Sequence, residues 1–105
     1  MLKALSFSIA ILLIASCATM KNKDTPIEGV YEVSCGTCNF EMTGDGCELA
    51  IIVDGKKYYV EGSAVDEHGD AHAADGLCTV VRKANVKGVI KKGVFVAESF
   101  ELIKE

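Results

Sequence analysis

The sequence has no excess of positive charge, no second long apolar run and none of the short motifs that mark the common catalytic folds. Each absence removes a class of function. With 11 Lys plus Arg against 15 Asp plus Glu, the chain is acidic, and a nucleic acid is disfavoured as a partner because its phosphates would be repelled. No segment beyond the N-terminal region reaches the length needed to cross a bilayer. There is no Gly-x-Ser-x-Gly elbow, phosphate loop or paired-carboxylate motif, and the cysteines and histidines match no local signature of a cysteine nucleophile. No catalytic residue is assigned, therefore, and no enzymatic activity is expected. Internal repeats are absent, and the doubled Cys-x-x-Cys of a zinc ribbon is missing because only Cys35 and Cys38 have that spacing.

What is present begins with a leader. Met1 to Ser16 carries one early cation, Lys3, followed by an apolar run from Phe7 to Ala15 that is too short for a stable membrane span. It ends in Ile14-Ala15-Ser16-Cys17, which resembles the bacterial lipobox. The resemblance implies cleavage before Cys17, a thioether-linked diacylglycerol on its sulfur and acylation of its new amino group. Several acyl chains anchor stably where one is marginal, so the expected partner is the lipid bilayer. Removing Lys3 with the leader leaves ten cationic residues against fifteen acidic ones in the mature chain. Residues 17–26 read as the lipidated cysteine and a polar, aperiodic stalk, and residues 27–105 as one small domain. A domain of this size buries a modest fraction of its surface and commonly needs disulfides, a metal or a partner.

Within that domain, Val30 to Val33 alternates as a strand does and stops at a cysteine-bearing loop. Leu49 to Val53 and Lys57 to Val60 flank Asp54-Gly55, a dipeptide that tolerates the positive φ of a tight hairpin turn. Ser63 to Gly76 is small and acidic and reads as a long loop. Leu77, Val80, Val81 and Ala84 recur at helical spacing behind a candidate N-cap, Asp75, with Arg82 and Lys83 suited to the C-terminal end of the helix dipole. Val86 to Ile90 and Val94 to Leu102 form a closing hairpin through Lys91-Lys92-Gly93. The expected fold is therefore mainly β, in the order β-β-β-α-β-β, a small OB-like five-stranded barrel with one helix. An open α+β sheet with one packed helix has the same element string. Tyr58 and Tyr59 point to opposite faces of their strand, so at most one can be a binding surface.

The chemistry rests on four cysteines beyond Cys17: Cys35, Cys38, Cys47 and Cys78. In an oxidising compartment they support two disulfides, in any of three connectivities. A bridge from the first cysteine loop to Cys78 would close a long segment, worth roughly 4 kcal/mol by the chain-entropy argument. Alternatively, the thiols join His68 or His72 around Zn or Cu(I), since soft sulfur and imidazole suit either ion. The Cys35 and Cys38 turn would point two sulfurs toward the ion, with Cys47, Cys78 or a histidine completing a tetrahedral set, and the expected corner is Cys35, Cys38, Cys78 and His68 or His72. A third reading is thiol–disulfide exchange at Cys35 and Cys38, weakened because Asn39-Phe40-Glu41 is a poor start to the helix such enzymes place there. Cys78, about three residues past Asp75, is the thiol expected to feel a helix dipole. Each histidine alone also reads as an exposed loop residue beside carboxylates.

Cys35-Gly-Thr-Cys-Asn-Phe-Glu-Met-Thr-Gly, the strand into Asp54-Gly55-Lys56, His68-Gly-Asp-Ala-His72, Asp75-Gly-Leu-Cys78 and Ala97-Glu-Ser-Phe100 together resemble a family of small uncharacterised lipoproteins of Bacteroidota. That resemblance implies a cellular setting and no mechanism. Ala18 is not the aspartate that retains enteric lipoproteins in the inner membrane. By that analogy the protein is expected in the outer membrane, facing the periplasm. Lys21-Asn22-Lys23-Asp24 differs from the acidic run linked with surface export, and surface display is not expected.

Overall fold

A computed structural model describes residues 24–104. The expected signal peptide, Cys17 and the stalk as far as Lys23 lie outside the described residues. Five strands close into a barrel: β1 (Thr25–Cys35), β2 (Leu49–Val53), β3 (Lys56–Glu61), β4 (Arg82–Lys91) and β5 (Val94–Leu102), in the spatial order β1-β2-β3-β5-β4. This is the arrangement of an OB-like barrel, as expected, and not an open sheet. No helix among the described residues is long and apolar enough to cross a membrane.

β1 organises the ring because it is long enough to serve two neighbours. Thr25 to Val33 pairs antiparallel with β4, while Glu32 to Cys35 pairs antiparallel with β2. The strand takes in Thr25 and Pro26, so folded structure starts two residues ahead of the expected boundary at Ile27. Pro26 lacks an amide hydrogen, which is tolerated near the start of a strand. The β2–β3 hairpin turns through Asp54 at φ 52° and Gly55 at φ 82°, the paired left-handed conformations of a type I′ turn that Asp-Gly adopts at low cost. β4 and β5 form the second hairpin, and β5 closes the ring by pairing parallel to β3.

The core follows the period of two. Along β4, Ala84 and Val86 point inward while Asn85 and Lys87 are exposed. They meet Val33 from β1, Ile51 and Val53 from β2 and Phe95 from β5, of which Phe95 is wholly buried.

The expected helix from Leu77 to Ala84 is not formed. Leu77 is buried, Val80 and Val81 are exposed, and Ala84 belongs to β4, opposite Tyr31 and Leu102. The Thr79 and Val80 amides both reach the Gly76 carbonyl, so the chain makes one turn and no more, and the Cys78 amide turns back to Ala71 at 2.9 Å. Pairing with β1 captures the segment from Arg82 onward, and tertiary pairing overrides a weak local helix pattern. The single helical turn, α1 (Gly36–Asn39), lies between β1 and β2, and a 3₁₀ turn at Val65–His68 lies between β3 and β4.

Candidate metal centre

Register alone brings the cysteine-bearing segments to one end of the barrel. Cys35 ends β1 and lies opposite Leu49, the first residue of β2, so Cys47 enters beside it. Val33 lies opposite Arg82, the first residue of β4, so the segment that carries Cys78 arrives at the same end. Cys38 sits on α1, one turn along from Cys35.

Backbone bonds next to each cysteine tighten this meeting. The Cys35 amide donates to the Leu77 carbonyl at 2.8 Å, one residue before Cys78, and the Gly36 amide donates to the Glu48 carbonyl at 2.8 Å, one residue after Cys47. Ser34 is fully buried although it faces away from the core side of β1, because the segment around Leu77 covers it. Its hydroxyl donates to the carbonyls of Leu77 at 2.8 Å and Val80 at 3.0 Å, and it accepts from the Asn39 amide at 2.7 Å. The cysteine loop is held from its other side by Thr37 donating to the Gly46 carbonyl, Lys57 to Phe40 and Tyr59 to Thr43. Gly36 is needed for closeness: a Cβ there would come within 2.8 Å of the Met42 sulfur and of the Tyr59 ring.

The result is a convergence of sulfur. The Sγ atoms of Cys35, Cys38, Cys47 and Cys78 all lie within 4.8 Å of one another. Cys47 and Cys78 are joined as a disulfide, 31 residues apart in sequence, while Cys35 and Cys38 are free thiols. Only one of the two expected disulfides is therefore formed among the described residues, and the pair that shares the Cys-x-x-Cys spacing is not the bonded one. Zn–S bonds of about 2.3 Å place tetrahedral sulfurs about 3.8 Å apart, so the four atoms are gathered on the scale of one ion. Burial pushes the Cys35 thiol up, but hydrogen bonds from Thr37 and Cys38 to its sulfur outweigh this and hold it below the ordinary thiol range. Cys38 is pushed the other way, first by its hydrogen bond to Cys35, then by desolvation and by the charge on Cys35.

The chain belongs to DUF6370, a family of unknown function. The family profile matches residues 29–103, a span that contains all four clustered cysteines and both histidines. No curated protein and no solved structure matches the chain.

In this DUF6370 chain the histidines do not join the sulfurs. His68 Nε2 is 2.7 Å from the Ser63 hydroxyl, and its ring packs on Phe100 with centroids 4.9 Å apart and planes tilted by 40°. Burial lowers the pKa of His68, with Glu67 acting to raise it and Arg82 to lower it further. It lines a cavity of about 520 Å³ with Arg82 and Lys104, to which no cysteine contributes. His72 is exposed, and its backbone amide donates to the Asp70 carboxylate at 3.0 Å. Cys78 sits in a turn and is bonded, so no helix dipole acts on it. Cys47 belongs to the cluster as fully as Cys78 does, and the signal for it is its place two residues ahead of the strand that pairs with Cys35. Of the tyrosines, Tyr58 packs on the core, and Tyr59 is spent on the loop.

Proposed function

We propose that this chain is a lipid-anchored, periplasm-facing lipoprotein of the outer membrane whose barrel presents a four-cysteine centre for a thiophilic metal, Zn²⁺ or Cu(I). The observation that carries the metal reading is the gathering of all four sulfurs within 4.8 Å. Strand register brings the cysteine segments to one end of the barrel, and within that end all four sulfurs are gathered on the scale of one ion. The backbone bonds beside Cys35 and Cys47 hold these segments in place, so an ion would meet a largely prearranged set of donors. All four donors are sulfur, which suits Zn²⁺ and Cu(I) and disfavours Ca²⁺ or Mg²⁺. The lipid anchor rests on the Ile14-Ala15-Ser16-Cys17 motif and on a domain that begins close behind it, at Thr25.

A second reading, a disulfide-stapled binding or structural scaffold, is favoured by the Cys47–Cys78 bond itself. Metal content of the full-length protein, extracted in mild detergent and purified anaerobically with reductant, separates the two. The metal reading expects one Zn²⁺ or Cu(I) per chain, with the four thiols protected from alkylation until a chelator is added. A fully reduced protein that binds neither ion supports the scaffold and ends the metal reading. Radiolabelled fatty acid should enter the wild type and not a Cys17→Ala variant; equal labelling or equal membrane partition of the two would end the lipoprotein reading.

A further inference from the structure

The bonded pair and the gathered sulfurs describe one set of atoms in two uses. A zinc centre of the kind proposed above needs four ligands, and the Cys47–Cys78 bond removes two of them. We infer, resting on that reading, that the site is a redox-gated zinc centre, closed when Cys47 and Cys78 are joined and open when both are thiols.

Three features of the fold support a gate over a permanent staple. First, the bond sits outside the barrel ladder, joining the loop ahead of β2 to the turn segment ahead of β4, so breaking it disrupts no strand pairing. Second, the segments it joins are held by other means. The Leu77 carbonyl accepts from Cys35, Ser34 and Asn39, and the Gly36 amide holds Glu48, so Cys78 and Cys47 stay beside Cys35 when the bond opens. The ligand cage is thus built by the backbone and survives reduction. Third, Cys47 and Cys78 are half-buried and Cys38 is exposed, so both a thiol reductant and an ion can reach the sulfurs.

The chemistry balances with a thiol partner. In opening, a dithiol reductant gives two electrons and two protons to the Cys47–Cys78 bond and leaves as its own disulfide. Zn²⁺ then enters and the four thiols release four protons. In closing, a disulfide oxidant takes two electrons from Cys47 and Cys78 and leaves as two thiols, taking up two protons. The Cys47–Cys78 bond re-forms, Cys35 and Cys38 take up two more protons, and Zn²⁺ departs with two ligands lost. The inference commits to zinc because Cu(I) accepts two-thiolate coordination and would be retained by Cys35 and Cys38 in the closed form.

The test uses the full-length protein in detergent micelles under anaerobic conditions, in two preparations. One is oxidised, with its bond mapped by peptide mass spectrometry after alkylation. The other is treated with a dithiol that is then removed. Zinc affinity is measured by competition with a chromophoric chelator. The reduced form should bind one Zn²⁺, and the oxidised form should bind more weakly by over about 100-fold, the upper end of what disturbing even a supporting group at a metal site costs. Glutathione disulfide added to the loaded protein should release zinc at the rate at which the Cys47–Cys78 peptide appears. Equal affinity in the two forms, or zinc release with a Cys35–Cys38 bond instead, overturns the gate and leaves the metal site standing. Zinc binding by neither form overturns the metal reading and the gate with it. A Cys47→Ser variant should bind zinc weakly in both preparations, and its insensitivity to the dithiol assigns the gate to the pair.

Discussion

Ser34→Ala is the most searching single change, because this hydroxyl joins the end of β1 to the segment that carries Cys78. The side chain is wholly buried and makes three contacts: it donates to Leu77 at 2.8 Å and to Val80 at 3.0 Å, and it accepts from Asn39 at 2.7 Å. One hydroxyl hydrogen is shared by the two carbonyls, so the donation counts once, and the Asn39 bond counts a second time. Leu77 keeps the Cys35 amide as a partner, and half-buried Asn39 regains water, which limits the penalty for orphaned groups. At about 1 kcal/mol net per neutral hydrogen bond, the loss is about 2 kcal/mol. For a domain of this size that corresponds to a fall in Tm of roughly 8–16 °C. Urea unfolding followed by far-UV circular dichroism should show a lower midpoint at unchanged slope. Asn39→Ala should weaken the same contact, so the double variant should lose less than the sum of the two single losses by about 0.5 kcal/mol or more. A Ser34→Ala protein within about 0.5 kcal/mol of wild type, or strict additivity with Asn39→Ala, would refute the view that this cluster pins the cysteine segment.

Further tests address the core, the loop, the staple and the buried histidine. Phe95→Ala should cost about 3–5 kcal/mol in urea unfolding, since the ring is fully enclosed by strands from across the barrel. Gly36→Ala should cost about 1–3 kcal/mol by overpacking against Met42 and Tyr59, and should speed amide exchange in the loop that Tyr59 holds through Thr43. In metal-free protein, reducing the Cys47–Cys78 bond should lower stability by up to about 4 kcal/mol, the chain entropy of its 31-residue separation, read as a shift in Tm. His68 is held by burial below the ordinary histidine value of 6.5. The unfolded chain therefore takes up its proton first as the medium is acidified, and stability should fall as pH drops from about 6.5 through the folded-state value. His68→Gln should flatten that slope relative to wild type in urea midpoints measured between pH 7.5 and 5.

The parts of the fold legible in the sequence are those in which local chemistry and tertiary pairing agree. Asp54-Gly55 between two β-rich runs specifies its own hairpin, and the run from Val94 to Leu102 has no competing period. Leu77, Val80, Val81 and Ala84 are the opposite case. Their spacing suits a helix, but the capture of Arg82 onward by β1 and of Leu77 by Ser34 and Cys35 depends on partners more than forty residues away, which a local window cannot register. The four-sulfur cluster was half legible: residue type and number named all four cysteines as disulfide or metal candidates, whereas their convergence on one point and the exclusion of His68 depend on strand register. His68 sits close to Cys78 in sequence, but its ring is turned to Ser63 and Phe100.

Because the five described strands form a continuous ring, each has a registered neighbour on both sides over at least part of its length. The shortest seam of the hoop is β3 against β5, with three registered pairs from Tyr59 to Glu61. Under mechanical or thermal stress the ring should part there first, on the arc that lacks β1, leaving the β1 pairings beside the cysteines intact the longest.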